Sequence, residues 1–127
     1  MPSPAVTRRK VIWIASSLSD LRRLPQPVRR AFGQALDDAQ VGAEHHSAKA
    51  LKGFAGRSVL EVVEDYDGNT FRAVYTVRFA AFIYVLHVFQ KKSRKGIATP
   101  KHELELIADR LKRAEDDYKT RLEGRKP

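Results

Sequence analysis

The chain has 127 residues, 43% hydrophobic and 31% charged, enough for one folded, soluble domain around a single core. It contains no cysteine, which excludes disulfides, thiol catalysis and Cys-ligated zinc and fits a cytoplasmic location. The net charge of +9 points to a polyanionic partner, nucleic acid or an acidic protein ahead of an anionic membrane surface, the alternative being a charge excess that only aids solubility, and the longest apolar stretch, residues 73–89, is interrupted by Arg78 and His87 and falls short of a membrane span.

Residues 1–127 read as one domain with no internal repeat and no low-complexity segment, and 1–9 and 123–127 are expected to be loose ends. The apolar run from Val11 to Ala15 is too short for a signal-peptide core and suits a short strand over Lys10–Ala15. Ser17, three residues before Asp20, is expected to cap a short helix through Leu18, Leu21 and Leu24 that Pro25 ends. Pro27 is expected to open a second helix. Val28, Ala31, Phe32, Ala35, Leu36 and Ala39 give that helix one apolar face, and Gly42 stops it. The first two-thirds of VGAEHHSAKALKGFAG lack periodicity and read as a connection.

A β region follows. Ser58–Tyr66 is rich in strand formers, Asp67-Gly68-Asn69 is a turn signal, and Thr70–Phe79 returns. Alternation sends Phe71, Ala73, Tyr75, Val77 and Phe79 to the core and leaves Thr70, Arg72, Val74, Thr76 and Arg78 on a polar face. An unbroken strand from 70 to 90 would be too long, so a break is expected near Ala80-Ala81 and a third strand after it. Thr99 as N-cap and Pro100 at the first position start a last helix, with Glu103 and Glu105 at the positive end of its dipole. Its apolar stripe is Leu104, Ile107, Ala108, Leu111, Ala114, Tyr118 and Leu122. The fold class expected is α+β: an N-terminal strand and two helices packed on one face of an antiparallel sheet, with a C-terminal helix.

The charge is not spread evenly. Residues 68–102 contain Arg72, Arg78, Lys91, Lys92, Arg94, Lys95 and Lys101 and no acid, so this window carries +7 of the net +9. In a hairpin the start of one strand lies beside the end of the next, which brings Arg72 close to Gln90, Lys91 and Lys92. Such a cluster binds a phosphodiester anion and can stabilise the charge that develops when phosphate is attacked. Arg72 suits the second role, because a strand fixes it and its guanidinium can grip two phosphate oxygens. The competing expectation for Arg72 is a salt bridge to Glu61 or Glu64. As an exposed strand residue, it should be replaceable without loss of the fold. Lys49, Lys52 and Arg57 lie before the sheet, and Arg78, Arg94, Lys95 and Lys101 complete the set of cations expected to hold such a polyanion.

His87 stands on the same strand face as Phe89 and Lys91 and is either a proton carrier or a half-buried strand residue. His45 and His46 lack partners at metal spacing and read as loop residues, and His102 as exposed. Phe71, Tyr75, Tyr84 and Phe89 could stack bases, but alternation assigns Phe71 and Tyr75 to the core. No metal or cofactor is expected, and there is no Gly-rich phosphate loop, catalytic triad or paired-carboxylate site.

The segments LKG (Leu51–Gly53), VLEV (Val59–Val62), DGNTFRAVYTV (Asp67–Val77), YVLHVFQKKS (Tyr84–Ser93) and TPKHELELI (Thr99–Ile107) together resemble the RelE/HigB-type toxins of bacterial toxin–antitoxin systems, in their phage-derived branch. The resemblance runs from about Val11 to Tyr118. It implies a RelE-like fold and ribosome-dependent, metal-independent cleavage of mRNA, in which a ribose 2′-OH attacks the adjacent phosphate. It implies that Arg72 contacts the scissile phosphate, that Lys91 and Lys92 are the basic residues at the end of the last strand, and that Lys52 is a basic residue of the preceding loop. Many relatives end in a Tyr or His that serves as acid or stacking group, whereas this chain continues into a long helix. The partners implied are a cognate helix-turn-helix antitoxin, the ribosome and its mRNA, with operator DNA reached only through the antitoxin complex. The alternatives are a ParE-like toxin that poisons DNA gyrase without cutting RNA and an inactive prophage remnant.

Overall fold

The computed structural model describes residues 8–54, 58–91 and 99–124. In chain order the elements are β1 (Lys10–Trp13), α1 (Ser17–Arg22), α2 (Gln26–Gln40), β2 (Ala48–Ala50), β3 (Val59–Tyr66), β4 (Asn69–Thr76), β5 (Phe82–Lys91) and α3 (Lys101–Glu123). One mixed sheet has the order β1-β5-β4-β3-β2, with β1 parallel to β5 and the other neighbours antiparallel. This is the α+β, RelE-like arrangement that was expected. β2 was not: it lies in the stretch read as a connection, where Ala48–Ala50 pairs with Leu60–Val62. Three residues are too few to show a period.

Helices cover both faces of the sheet, not one. On the first face Val28, Phe32, Ala35, Leu36 and Ala39 of α2 pack against Leu60, Val62, Phe71, Ala73, Tyr75 and Val85. On the second, Ile107 and Ala114 of α3 meet Val59, Val74, Phe82, Tyr84 and Leu86. The polar look of Arg72 and Thr76 hid this second core, because β4 gives it only Val74 and its other strand members come from the flanking strands. β5 is apolar on both faces, as a fully covered central strand should be. Ala108 and Leu122, assigned to the stripe, stay exposed, so the buried seam of α3 is narrower than the sequence suggested.

Two backbone features place the site. Asp67 (φ 51°) and Gly68 (φ 78°) are both left-handed, which closes the β3–β4 hairpin with a two-residue turn and fixes its register. Val63 then faces Arg72, and Arg72 faces Phe89 on β5. Further along, Val74 pairs with His87 but Tyr75 with Val85, so Leu86 is an extra residue in β5. This bulge turns Leu86 and His87 toward the same helix, α3.

The caps differ from expectation. Pro100, not Thr99, occupies the N-cap position of α3, and Ser16, not Ser17, that of α1. Each displaced hydroxyl has another use: Ser17 donates to the Val85 carbonyl at 3.2 Å, and Thr99 joins the site described below. At the N-terminus Arg9 is tied down rather than loose. Its guanidinium donates to the carbonyls of Val77, Phe79 and Ala39, joining β1, the β4–β5 link and α2.

Candidate functional site

Glu61 is the one acid in the apolar run Val59–Val63 of β3, and the sheet's alternation aims it at the face under α3. A carboxylate there needs a partner. Arg72 supplies it from the neighbouring strand: one guanidinium nitrogen lies 2.8 Å from Glu61 Oε1. The same nitrogen donates to Thr99 Oγ1 at 3.0 Å, and Thr99 donates to Glu61 Oε2 at 2.8 Å. Guanidinium, carboxylate and hydroxyl thus form a closed triangle between β3, β4 and the residue that leads into α3.

Lys91 stands on the same face, its strand position opposite Thr70. Burial pushes its ammonium below the ordinary lysine value; the Arg72 charge acts in the same sense and Glu61 opposes both. Arg72 and Lys91 are therefore electrostatic neighbours, as the hairpin geometry required. Both are buried, at 5% and 4% exposure, against the expectation of an exposed strand arginine. The salt bridge to Glu61, the competing reading of Arg72, is present.

His87 lies on this face too, stacked on Phe89 with ring centroids 4.4 Å apart. Its Nε2 is bound to the Glu103 carboxylate, and its Nδ1 is 3.2 Å from an Arg110 nitrogen that also donates to the Leu86 carbonyl. A guanidinium only donates, so Nδ1 must be the bare acceptor and Nε2 must carry the proton given to Glu103. This is the neutral tautomer. Burial holds the imidazole below its ordinary value, while the Glu103 contact works in the opposite direction. Both ring nitrogens are engaged, and the group pins the start of α3 to the bulge in β5.

The remaining cations divide. Lys49 faces Glu61 across the β2–β3 pair and is exposed; Lys101 is exposed at the first turn of α3, two residues after Thr99. Lys52 is exposed in the turn beyond β2. Arg78 is set apart: it bonds Glu115 of α3 at 2.7 Å, roughly 20 Å along the chain direction from Arg72 at strand rise. Arg57, Lys92, Arg94 and Lys95 lie outside the described residues. Of the other histidines, His102 is exposed beside Glu103, and His45 is buried, its Nδ1 accepting from the Ser47 backbone N–H. Tyr84, a candidate for stacking, is buried and bonded to Asp117.

The profile of a family described as phage derived protein Gp49-like (DUF891) matches residues 19–112, about three-quarters of the chain. The chain belongs to that family. No curated protein and no solved structure matches it. The match spans α2, the sheet from β2 to β5 and the first half of α3, so every described member of the Glu61–Arg72–Lys91–Thr99 cluster lies within the Gp49-like region. Family membership is compatible with a toxin of a toxin–antitoxin system. No helix among the described residues is long and apolar enough to cross a membrane.

Chemically, the cluster holds a planar cation, an ammonium of lowered proton affinity and a carboxylate on one sheet face. Arg72 and Lys91 were legible as a pair. Glu61 was seen only as a neutralising partner, although a lone acid in an apolar run is a signal in itself. Arg110 had no signal, because its helix face alternates in charge and reads as solvated.

Proposed function

We propose that this Gp49-like chain is the toxin of a toxin–antitoxin pair and acts as a ribosome-dependent endoribonuclease. The observation that carries the reading is the placing of Arg72 and Lys91 side by side on one sheet face, with the Glu61 carboxylate in hydrogen-bond contact with the guanidinium. In this reading the mRNA phosphate takes the place of Glu61 on Arg72, an exchange of one planar anion-binding contact for another. Glu61, released but adjacent, accepts the proton of the ribose 2′-OH. The 2′ oxygen forms a bond to phosphorus, the bond from phosphorus to the 5′ oxygen breaks, and the Lys91 ammonium protonates that leaving oxygen. A 2′,3′-cyclic phosphate and a 5′-hydroxyl result, and no metal takes part. Arg72 stabilises the charge on the equatorial oxygens, the step where a fixed cation contributes most. His87 is a positioning residue that holds α3. Lys49, Lys52, Lys92, Arg94, Lys95 and Lys101 track the RNA backbone.

A helix-turn-helix antitoxin encoded beside the chain would neutralise it and carry the complex to operator DNA. The test of the whole reading is reconstituted translation with the added protein, followed by mapping of mRNA ends. New ends inside the ribosomal A-site codon are expected. Intact messages under continuing translation would sink the reading, and inhibition of DNA gyrase in a supercoiling assay, with no RNA ends, would establish the ParE-like alternative.

A further inference from the structure

Two arginine pairs stand seven residues apart in DLRRLPQPVRRAF: Arg22 and Arg23, then Arg29 and Arg30. The first pair lies at the end of α1 and the second early in α2, and residues 23–25 join the two helices. Leu21, Leu24, Val28 and Phe32 turn inward to the first core, which leaves all four guanidiniums exposed. Among the described residues none of the four has a side-chain hydrogen bond or ion pair. The nearest acids in sequence are otherwise engaged: Asp20 by Ser16, Asp37 by Arg8 and Asp38 by Gln34. Like charges this close repel and gain nothing for the fold.

Arg29 and Arg30 lie across the sheet from the Arg72–Lys91 cluster, since α2 covers one face and α3 the other, and α1, which packs Leu21 on the α2 side, also meets α3 where Arg110 donates to its N-cap Ser16. We propose that Arg22, Arg23, Arg29 and Arg30 form a second anion-binding surface that takes the phosphate backbone of a double-helical RNA. The choice of RNA rests on the nuclease reading above; the choice of a phosphate backbone does not. A protein partner would need an apolar anchor at the centre of the contact. Among the described residues the exposed large apolar ones are Val41, Tyr66, Leu106 and Leu122, none of them in this segment. Guanidinium groups alone suffice for phosphates, which they grip in pairs. A hold on structured RNA from one face would orient the scissile phosphate at the other.

The experiment compares the full-length protein with the variant R22Q/R23Q/R29Q/R30Q, using fluorescence anisotropy of a labelled 20-base-pair RNA duplex over a salt series. All four positions are exposed, so the variant should fold; an unchanged melting midpoint checks this, and the two pairwise variants serve if the quadruple one does not fold. The variant should bind at least about tenfold more weakly, and the slope of log affinity against log salt should fall by about one unit per arginine removed. Unchanged affinity and slope would overturn the proposal. So would tighter binding of wild type to a DNA duplex of the same sequence, or a loss confined to polyglutamate used as an acidic-protein probe. Mapping of mRNA ends with wild type is a separate readout, so failure of the nuclease reading and failure of this surface are told apart.

Discussion

Arg72 is coupled to Glu61 so closely that neither can be changed without exposing the other's burial cost. Arg72→Ala leaves a carboxylate at 9% exposure facing an apolar strand neighbourhood, and should cost about 3 kcal/mol in urea denaturation. Glu61→Leu should cost a similar amount by leaving the guanidinium. The double change Arg72→Met with Glu61→Leu should cost less than either single one, because an ion pair removed whole takes its desolvation penalty with it. Additive losses would mean that the two side chains are stabilised by separate partners. His87 makes a prediction of opposite character. Its folded-state proton affinity lies below the ordinary value, so the unfolded chain binds more protons as the pH falls. The stability from the neutral imidazole is complete above about pH 6.5 and is lost as pH drops through the lowered folded value. The groups around it are Glu103, which resists this shift, Arg110, which reinforces it, and Asp20. The denaturation midpoint should fall between about pH 7.5 and 5.5, and His87→Gln should flatten that dependence. A midpoint equally pH-dependent in the variant would assign the effect to other groups.

At the scale of elements, short links and one bulge determine which side chains meet. Ala15, between β1 and α1, has φ 51°, a left-handed conformation that costs an alanine energy a glycine does not spend. Ala15→Gly should therefore be stabilising by about 0.5–1 kcal/mol, the opposite of its effect in a helix or strand. A loss of stability would show that the link relaxes in solution. The Leu86 bulge does for β5 what that link does for β1: it puts two consecutive residues on one face, so Leu86 reaches Ile107 while His87 reaches Glu103 and Arg110. α3 is held along its length by this combination of a narrow apolar seam and polar ties at His87–Glu103, Tyr84–Asp117 and Arg78–Glu115.

At the scale of the whole molecule, the sheet separates an α2 face, with exposed Arg29 and Arg30, from an α3 face with the Arg72–Lys91 cluster, and α1, with exposed Arg22 and Arg23 at its end, touches both. Most of the architecture was legible in the sequence, because period-2 and helical patterns are strong over β3–β5, α2 and α3, and Asp67-Gly68 fixes the hairpin. The nearness of Arg72 to Lys91 followed from the antiparallel return of the next strand, β5, on β4. The second core was not legible: α3's stripe pointed to a partner face, but β4 by itself offered only Val74 among Thr70, Arg72 and Thr76 there, and only the sheet order supplies the further apolar neighbours from β3 and β5. The roles of Thr99 and Arg110 were hidden for a related reason. A residue before a proline reads as a cap, and an arginine on a charge-alternating helix reads as solvated, until tertiary contacts claim them. The arginines of α1 and α2 escaped notice because residues 1–67 carry eight acids that mask them in a charge count.

The central claim is that Arg72 acts on a phosphate and not only on Glu61. Arg72→Lys keeps the positive charge beside Glu61 but loses the two-pronged grip, so the fold can be checked by its melting midpoint while the chemistry is read separately. Cleavage of ribosome-bound mRNA, followed as the rate at which new ends appear, should fall by about 100-fold in this variant. A variant that is folded and cuts at the wild-type rate would contradict the account, leaving Arg72 a structural partner of Glu61 and no more.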